Sequence, residues 1–318
     1  MSRRPLAFSP LDDADGAPWR RLALLAFPVT AAVSRLVWRV SSASLSTSFS
    51  RTKTWQRLWY WNRRMGRLPR LLGSPRVRSV GSGLKMHVDL SRLTDCFAYV
   101  YGIGEFEIAP FFERVAGKRP VVLDIGSNVG TAAMAFARAR PDGVVFAFEP
   151  MAAVRGVLSK NLEINQLNNV TVVPIALGDE VATFDLIQER AGNPGSSFLS
   201  RSSEVSAHVV STQRLDDWAG SRSDVSFIKI DVEGFEARVI RGGAETIRRC
   251  RPIIVAEVHA AALERQGGSS EELLRTLSEL GYTCCELQAG RPVPYRAEHF
   301  RPGEIHNVVG FPTKDATV

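Results

Sequence analysis

Short apolar runs alternate with amphipathic stretches from residue 120 onward. The run at 121–125 is ended by glycine, as is typical of a buried parallel strand, and the Ala-rich stretch 129–140 predicts a helix. Apolar residues recur every four positions from Val154 to Leu162 and predict a second helix. Further strands are predicted at 144–149, 170–177, 225–232, 252–259, 282–287 and 307–311. This alternation predicts an α/β sandwich around a mostly parallel, seven-stranded sheet.

Two local patterns refine this picture. Segment 181–213 interrupts the alternation and predicts a β-hairpin insertion around a Gly- and Ser-rich loop. Ser269 and Glu272 form an S-x-x-E helix start, and Gly281 predicts the end of that helix.

Basic residues are concentrated in the first quarter of the chain. Residues 1–80 contain 15 Lys and Arg against 3 Asp and Glu, although the whole chain has a formal net charge of only +7. Five of the six tryptophans lie there too. We therefore expect a basic, Trp-rich helical extension at 1–80, a bridging or cap segment at 81–115, and a globular domain at 116–318.

The extension contains an amphipathic stretch at 19–40, with arginines and tryptophans beside an apolar stripe. Such a helix either lies on an anionic membrane surface or packs on the acidic domain, and both alternatives stay open. The uncharged run at 22–33 is too short to span a bilayer, so we expect no transmembrane helix and no cleavable signal. The four cysteines form no CxxC pair, which favours a reduced, cytoplasmic setting.

The first chemical signal is DIGSNVG, which runs from Asp124 to Gly130 between a predicted strand and a predicted helix. Glycines in such a turn let a ligand approach the backbone, and the helix start offers free N–H groups. A dinucleotide site favours G-x-G-x-x-G. The G-x-N-x-G spacing of Gly126, Asn128 and Gly130 instead favours a zwitterionic amino-acid tail.

Two further signals follow at the ends of later strands. Glu149, in Phe-Glu-Pro, stands where an acidic side chain accepts hydrogen bonds from the ribose of an adenosine cofactor. The KIDVEG run then places Lys229, Asp231 and Glu233 at the carboxyl end of a buried strand, where open α/β sheets bind ligands. We expect Lys229 to pair with a neighbouring carboxylate.

With these motifs, the ALGDE stretch at 176–180 and EVH at 257–259, the chain resembles the FkbM-type methyltransferases over roughly residues 100–311. The resemblance implies a Rossmann-like class I methyltransferase domain that uses S-adenosylmethionine. It also implies that Asp231 lies near the sulfonium and that Glu149 holds the ribose. The implied contacts to the methionine and adenine parts are Asp124, Gly126, Asn128, Gly130, Ala176 and Leu177.

The residues themselves suggest the remaining chemistry. His259 is the first candidate for a general base, with Glu257 or Glu233 orienting it, and a hydrogen-bonded structural histidine is the alternative. Together with Asp231 these side chains could hold a divalent cation, but no dedicated metal-ligand spacing is present, and we expect metal-independent transfer. Loops 97–112 and 191–200 are candidate lids over the acceptor.

The resemblance implies O-methylation of a hydroxyl on a sugar, a glycolipid or a polyketide-like metabolite, whereas the residues alone indicate only a methyl-donor site. A nicotinamide-dependent oxidoreductase is the alternative on the same sheet, and it lacks a Tyr-x-x-x-Lys pair here. Nucleic-acid methylation is a second alternative, suggested by the basic extension. It is disfavoured by the acidic domain and by DVEG in place of a base-flipping motif, so we expect no nucleic-acid partner.

Overall fold

The computed structural model describes residues 76–81, 83–89, 95, 98, 107–188, 197–200, 209–295 and 305–313. The extension up to residue 75, with its stretch 19–40, lies outside the described residues, as does most of both predicted lids. Their roles stay predictions. None of the helices in the described part of the chain is long and apolar enough to cross a membrane.

The described residues form fourteen strands and eight helices, numbered here in chain order. The strands are β1 Arg76–Gly81, β2 Leu84–Val88, β3 Val121–Ile125, β4 Val144–Phe148, β5 Val170–Val173, β6 Ala176–Gly178, β7 Thr183–Gln188, β8 Ser197–Ser200, β9 Val209–Arg214, β10 Val225–Ile230, β11 Ile253–His259, β12 Tyr282–Gln288, β13 Arg291–Pro294 and β14 Ile305–Pro312. The helices are α1 Ile108–Val115, α2 Thr131–Ala139, α3 Ala152–Ile164, α4 Leu215–Ala219, α5 Glu236–Gly242, α6 Ala244–Cys250, α7 Ala260–Arg265 and α8 Ser270–Glu279.

The main sheet has the order β13-β12-β14-β11-β10-β3-β4-β5. Strands β11, β10, β3, β4 and β5 are parallel, whereas β14, β12 and β13 add to one side as antiparallel strands. The predicted α/β class is confirmed, with one strand more than the seven expected. The extra strand β13 arises because Ala289 and Gly290 both adopt positive φ and form a two-residue hairpin turn.

Helices cover both faces of this sheet. Successive side chains of a strand point to opposite faces, so Val122 joins one buried cluster and Leu123 joins the other. Helices α1, α2 and α3 pack on the first face, and α5, α6 and α8 pack on the second. The predicted start of α8 is confirmed, because the Ser269 hydroxyl accepts the Glu272 N–H at 3.1 Å.

The insertion differs in detail from its prediction. The expected strand 170–177 is wrong as one element, because β5 ends at Val173 and β6 begins at Ala176. Pro174 lies between them and has no N–H for a sheet ladder. Strand β6 leaves the main sheet and joins a smaller one of order β6-β9-β7-β8. The expected hairpin is present, and β7 pairs antiparallel with both β8 and β9.

Strands β1 and β2 form an antiparallel hairpin that turns at Gly83, whose φ is +70°. The hairpin crosses the proposed boundary between residues 80 and 81. Two asparagines hold its backbone, Asn161 of α3 and Asn165 directly after that helix. Asn161 accepts the His87 N–H and Asn165 accepts the Lys85 N–H, both at 2.8 Å. Strands β1 and β2 therefore pack directly on the α/β domain.

Candidate active site

A cleft opens at the carboxyl ends of β3, β4 and β10. It contains about 720 Å³ of empty space, a figure that includes the open solvent at its mouth. Its described lining comes from the turns after these three strands, from the start of β6, and from one leucine each of β7 and β8. The three predicted motifs therefore converge on one site.

The turn after β3 is built around two glycines with positive φ. A β-carbon on Gly126, where φ is +82°, would lie 1.9 Å from the Asp231 carbonyl oxygen. A β-carbon on Gly130, where φ is +92°, would lie 2.2 Å from Cδ1 of Leu158. Asn128 between them is also left-handed, with φ of +49°. Only glycine fits both end positions, and the result is a turn whose backbone faces the cleft.

Glu149 closes this turn from the end of β4. Its Oε2 accepts the Asn128 N–H at 3.1 Å and its Oε1 accepts the Met151 N–H at 2.8 Å. Burial raises the pKa of Glu149 to about 7, although these hydrogen bonds and Arg155 favour the charged form. Each carboxylate oxygen keeps a further lone pair, so Glu149 can still accept a hydrogen bond from a ligand hydroxyl.

Lys229 pairs with two carboxylates, as the sequence predicted. Its Nζ lies 3.2 Å from Oδ2 of Asp231 and 3.6 Å from Oδ1 of Asp124. Asp124 is completely buried beneath the cleft and does not belong to the described lining, whereas the Asp231 side chain is 30% exposed and lines it. Burial raises the pKa of Asp124, and the Lys229 ammonium opposes that shift. The structure therefore gives Asp124 no surface for direct contact with a ligand in this cleft.

The turn after β10 presents a second acidic group. Glu233 lines the cleft in a left-handed conformation, with φ of +53°. Behind it, Oε1 of Glu236 accepts the N–H groups of Val232 and Gly234 at 3.0 and 3.2 Å. Burial raises the pKa of Glu236 to about 7. Sequence analysis missed Glu236, although its acidic side chain beside a strand-to-helix turn was a readable signal.

The two proposed residues on β11 lie beside the cleft and not in its described lining. Glu257 follows Ala256, which pairs with Ile230 of β10, so its position is next to Asp231 across the sheet. Burial raises the pKa of Glu257 well above its usual range, and the nearby charges of Asp231 and Glu233 raise it further. His259 ends β11 and precedes α7. In the described residues no group of three or more His, Cys, Asp or Glu converges as metal ligands.

One wall of the cleft is apolar. Ala176 and Leu177, predicted to border an adenine, line it together with Ile175. Leu186 of β7 and Leu199 of β8 pair across the insertion and complete the wall. Sequence analysis missed these two leucines because alternation within a short strand does not show which sheet the strand joins. The cleft thus combines an acidic side with an apolar side.

A Rossmann-like sheet, a glycine turn after its first parallel strand and an acidic residue after the second define a Rossmann-like fold with a nucleoside cofactor site. The model of the methyltransferase FkbM domain matches residues 124–284, which is half of the chain. The match to a methyltransferase family makes this a class I methyltransferase fold. The chain belongs to this family.

Individual relatives share limited sequence identity with this chain. The 2-O-methyltransferase NoeI of Sinorhizobium fredii is 31% identical over 150 residues, which cover 42% of this chain and 60% of that protein. The hexuronic acid methyltransferase AglP of Haloferax volcanii is 28% identical over 180 residues, covering 55% and 69%. A solved structure of methyltransferase FkbM from Methylobacillus flagellatus is 16% identical, with coverage of 69% and 52% and a TM-score of 0.42. The chain therefore spans less than two thirds of the NoeI protein.

Proposed function

We propose that the chain is an S-adenosylmethionine-dependent O-methyltransferase whose acceptor is a hydroxyl of a sugar or a glycolipid. The observation that carries the proposal is the convergence of the Gly126 turn, Glu149 and Asp231 on one cleft. Membership of the FkbM family supports methyl transfer. The names of the two relatives, one a 2-O-methyltransferase and the other a hexuronic acid methyltransferase, support a sugar hydroxyl.

The cleft fits the parts of this cofactor. The missing β-carbon of Gly126 lets the turns after β3 and β10 pack together at the cleft, and Glu149 has lone pairs for a ribose diol. The apolar wall of Ile175, Ala176 and Leu177 suits a flat adenine ring. The bound cofactor supplies an electrophilic methyl group on a positively charged sulfur. Asp231, exposed to the cleft beside these residues, would favour that charge.

The protein must then align an acceptor hydroxyl and receive its proton. Alignment of reacting groups contributes roughly 7–11 kcal/mol, whereas a general base contributes about 10²–10⁴ in rate. Asp231 and Glu233 line the cleft, which supports them as the residues that hold the hydroxyl. We propose His259 as the base and Glu257 as its orienting partner, since Glu257 stands next to Asp231 across the sheet and His259 follows it on β11.

The competing oxidoreductase is not favoured, because the family is one of methyltransferases. The test is to incubate the purified protein with S-adenosylmethionine and a panel of neutral and acidic sugars, with a nucleic-acid control. We expect a sugar product heavier by one methylene, and loss of it in Asp231→Ala with the protein still folded. Methylation of the nucleic acid alone would contradict the proposal.

We also propose that the protein attaches peripherally to an anionic membrane through residues 19–40. Its support is the sequence pattern of arginines and tryptophans around an apolar stripe. Full-length protein should sediment with anionic vesicles at low salt and less at high salt, because basic residues each add about 1 kcal/mol at such a surface. Protein that stays in the supernatant at both salt concentrations would refute attachment.

A further inference from the structure

Asn161 connects the glycine turn to the N-terminal hairpin. Its side chain is completely buried on α3. Its Oδ1 accepts the His87 N–H of β2 at 2.8 Å, and its Nδ2 donates to the Val129 carbonyl oxygen at 2.9 Å. Val129 lies inside the turn, between Asn128 and Gly130. One amide group therefore joins the hairpin to the turn that the proposed cofactor would contact.

This contact acts beside a left-handed residue. Asn128 has positive φ, a conformation that a non-glycine residue keeps where its surroundings fix it. Hydrogen bonds hold both polar groups of the Val129–Gly130 peptide. The Val129 carbonyl accepts from Asn161, and the Gly130 N–H donates to the Ser127 carbonyl at 2.8 Å. Leu158, one helical turn before Asn161, fills the space beside Gly130.

We infer that Asn161 is a positioning residue for the cofactor site. The β1–β2 hairpin contributes to that site because it orients the Asn161 amide. The inference rests on the proposed function, since it assigns the turn to S-adenosylmethionine. Without the hairpin, the Asn161 amide would lose the donor that orients it. The segment that follows the basic extension then contributes to cofactor binding although no atom of it needs to touch the cofactor.

Asn165 provides a matched control. It directly follows α3, one turn beyond Asn161, and holds the same hairpin, accepting the Lys85 N–H at 2.8 Å and donating to the Lys85 carbonyl at 2.6 Å. Its other hydrogen bonds go to the Asn161 carbonyl and the Met134 sulfur, away from the glycine turn. Asn165→Ala therefore weakens the hairpin contact and spares the turn, whereas Asn161→Ala removes both. A purely structural role for Asn161 predicts that the two variants behave alike.

The experiment uses full-length protein and two measurements, calorimetric affinity for S-adenosylhomocysteine and amide hydrogen exchange at residues 127–130 without ligand. Asn161→Ala should weaken binding about tenfold and speed exchange in the turn, since a buried carbonyl loses its donor. Asn165→Ala should lower the Tm but leave affinity within about twofold. Equal losses of affinity in both variants, or unchanged exchange in Asn161→Ala, would overturn the inference.

Asn161→Asp adds a readout that a structural role would not move. A protonated aspartic acid both accepts and donates, as asparagine does, and burial raises its pKa. Affinity relative to wild type, compared at each pH, should therefore recover as the pH falls. A deficit that is constant with pH would contradict the role of the donated hydrogen bond. Wild-type protein that binds no S-adenosylhomocysteine would instead refute the proposed function, and the exchange measurement would still report on the turn.

Discussion

Gly126 and Asp231 meet through their backbones, and a β-carbon on Gly126 would lie 1.9 Å from the Asp231 carbonyl oxygen. The Asp231 N–H also donates to the Ile125 carbonyl at 3.0 Å, so the turns after β3 and β10 form one unit. Since φ at Gly126 is +82°, any side chain is strained there as well as crowded.

Gly126→Ala should therefore abolish measurable binding of S-adenosylmethionine and lower the Tm, because the two turns must separate. Gly156→Ala is the matched control: it stands inside α3, a β-carbon there meets nothing within 4 Å, and alanine in a helix stabilises by up to about 1 kcal/mol. Calorimetry and thermal unfolding of both variants check this. Normal binding by Gly126→Ala would show that the turn is not part of the cofactor site.

Cofactor binding should depend on pH through Glu149. Burial raises its pKa to about 7, so the carboxyl is largely protonated below that pH. Ribose hydroxyls donate best to the charged form, and affinity should rise as the pH increases through 7 and then level off. Glu149→Gln should bind more weakly at high pH and show little pH dependence. A wild-type affinity that does not change across pH 7 would argue against ribose contact.

Glu236 should make stability fall with rising pH. Its pKa is raised from 4.5 to about 7 in the folded protein, so its contribution is complete below pH 4.5 and is lost as the pH rises through 7. Glu236→Gln keeps an oxygen for the Val232 and Gly234 N–H groups but cannot ionise. Its Tm relative to wild type should increase with pH, and exposed Glu264→Gln should show no such trend. A difference that is flat with pH would contradict this assignment.

Loss of Lys229 should lower the free energy of unfolding most when residue 124 carries a negative charge. Lys229→Met leaves a completely buried carboxylate without its cation, and removing one partner of a buried pair costs about 3–5 kcal/mol. Asp124→Asn in the same chain should restore much of that loss. Urea unfolding of the single and double variants measures the coupling. Additive losses would mean that the two side chains do not interact.

The sequence predicted the sheet and the three motifs at its carboxyl edge because strand ends and glycine turns are local signals. It placed Asp231, Glu149 and Ala176 in one cleft, as the structure does. It could not show that Asp124 lies beneath the cleft, since depth depends on how β3 and β10 pair. Asn161 escaped notice for a similar reason: its partners are 32 and 74 residues away along the chain.

The central claim is that the cleft binds S-adenosylmethionine, and titration calorimetry of the purified full-length protein tests it most directly. We expect S-adenosylmethionine and S-adenosylhomocysteine each to bind with a stoichiometry of one. Both affinities should be lower in Glu149→Gln at high pH, and nicotinamide dinucleotide should give no heat of binding. Ligand binding should also raise the Tm, because it stabilises only the folded state. Binding of the nicotinamide dinucleotide, with none of either adenosyl compound, would contradict the account.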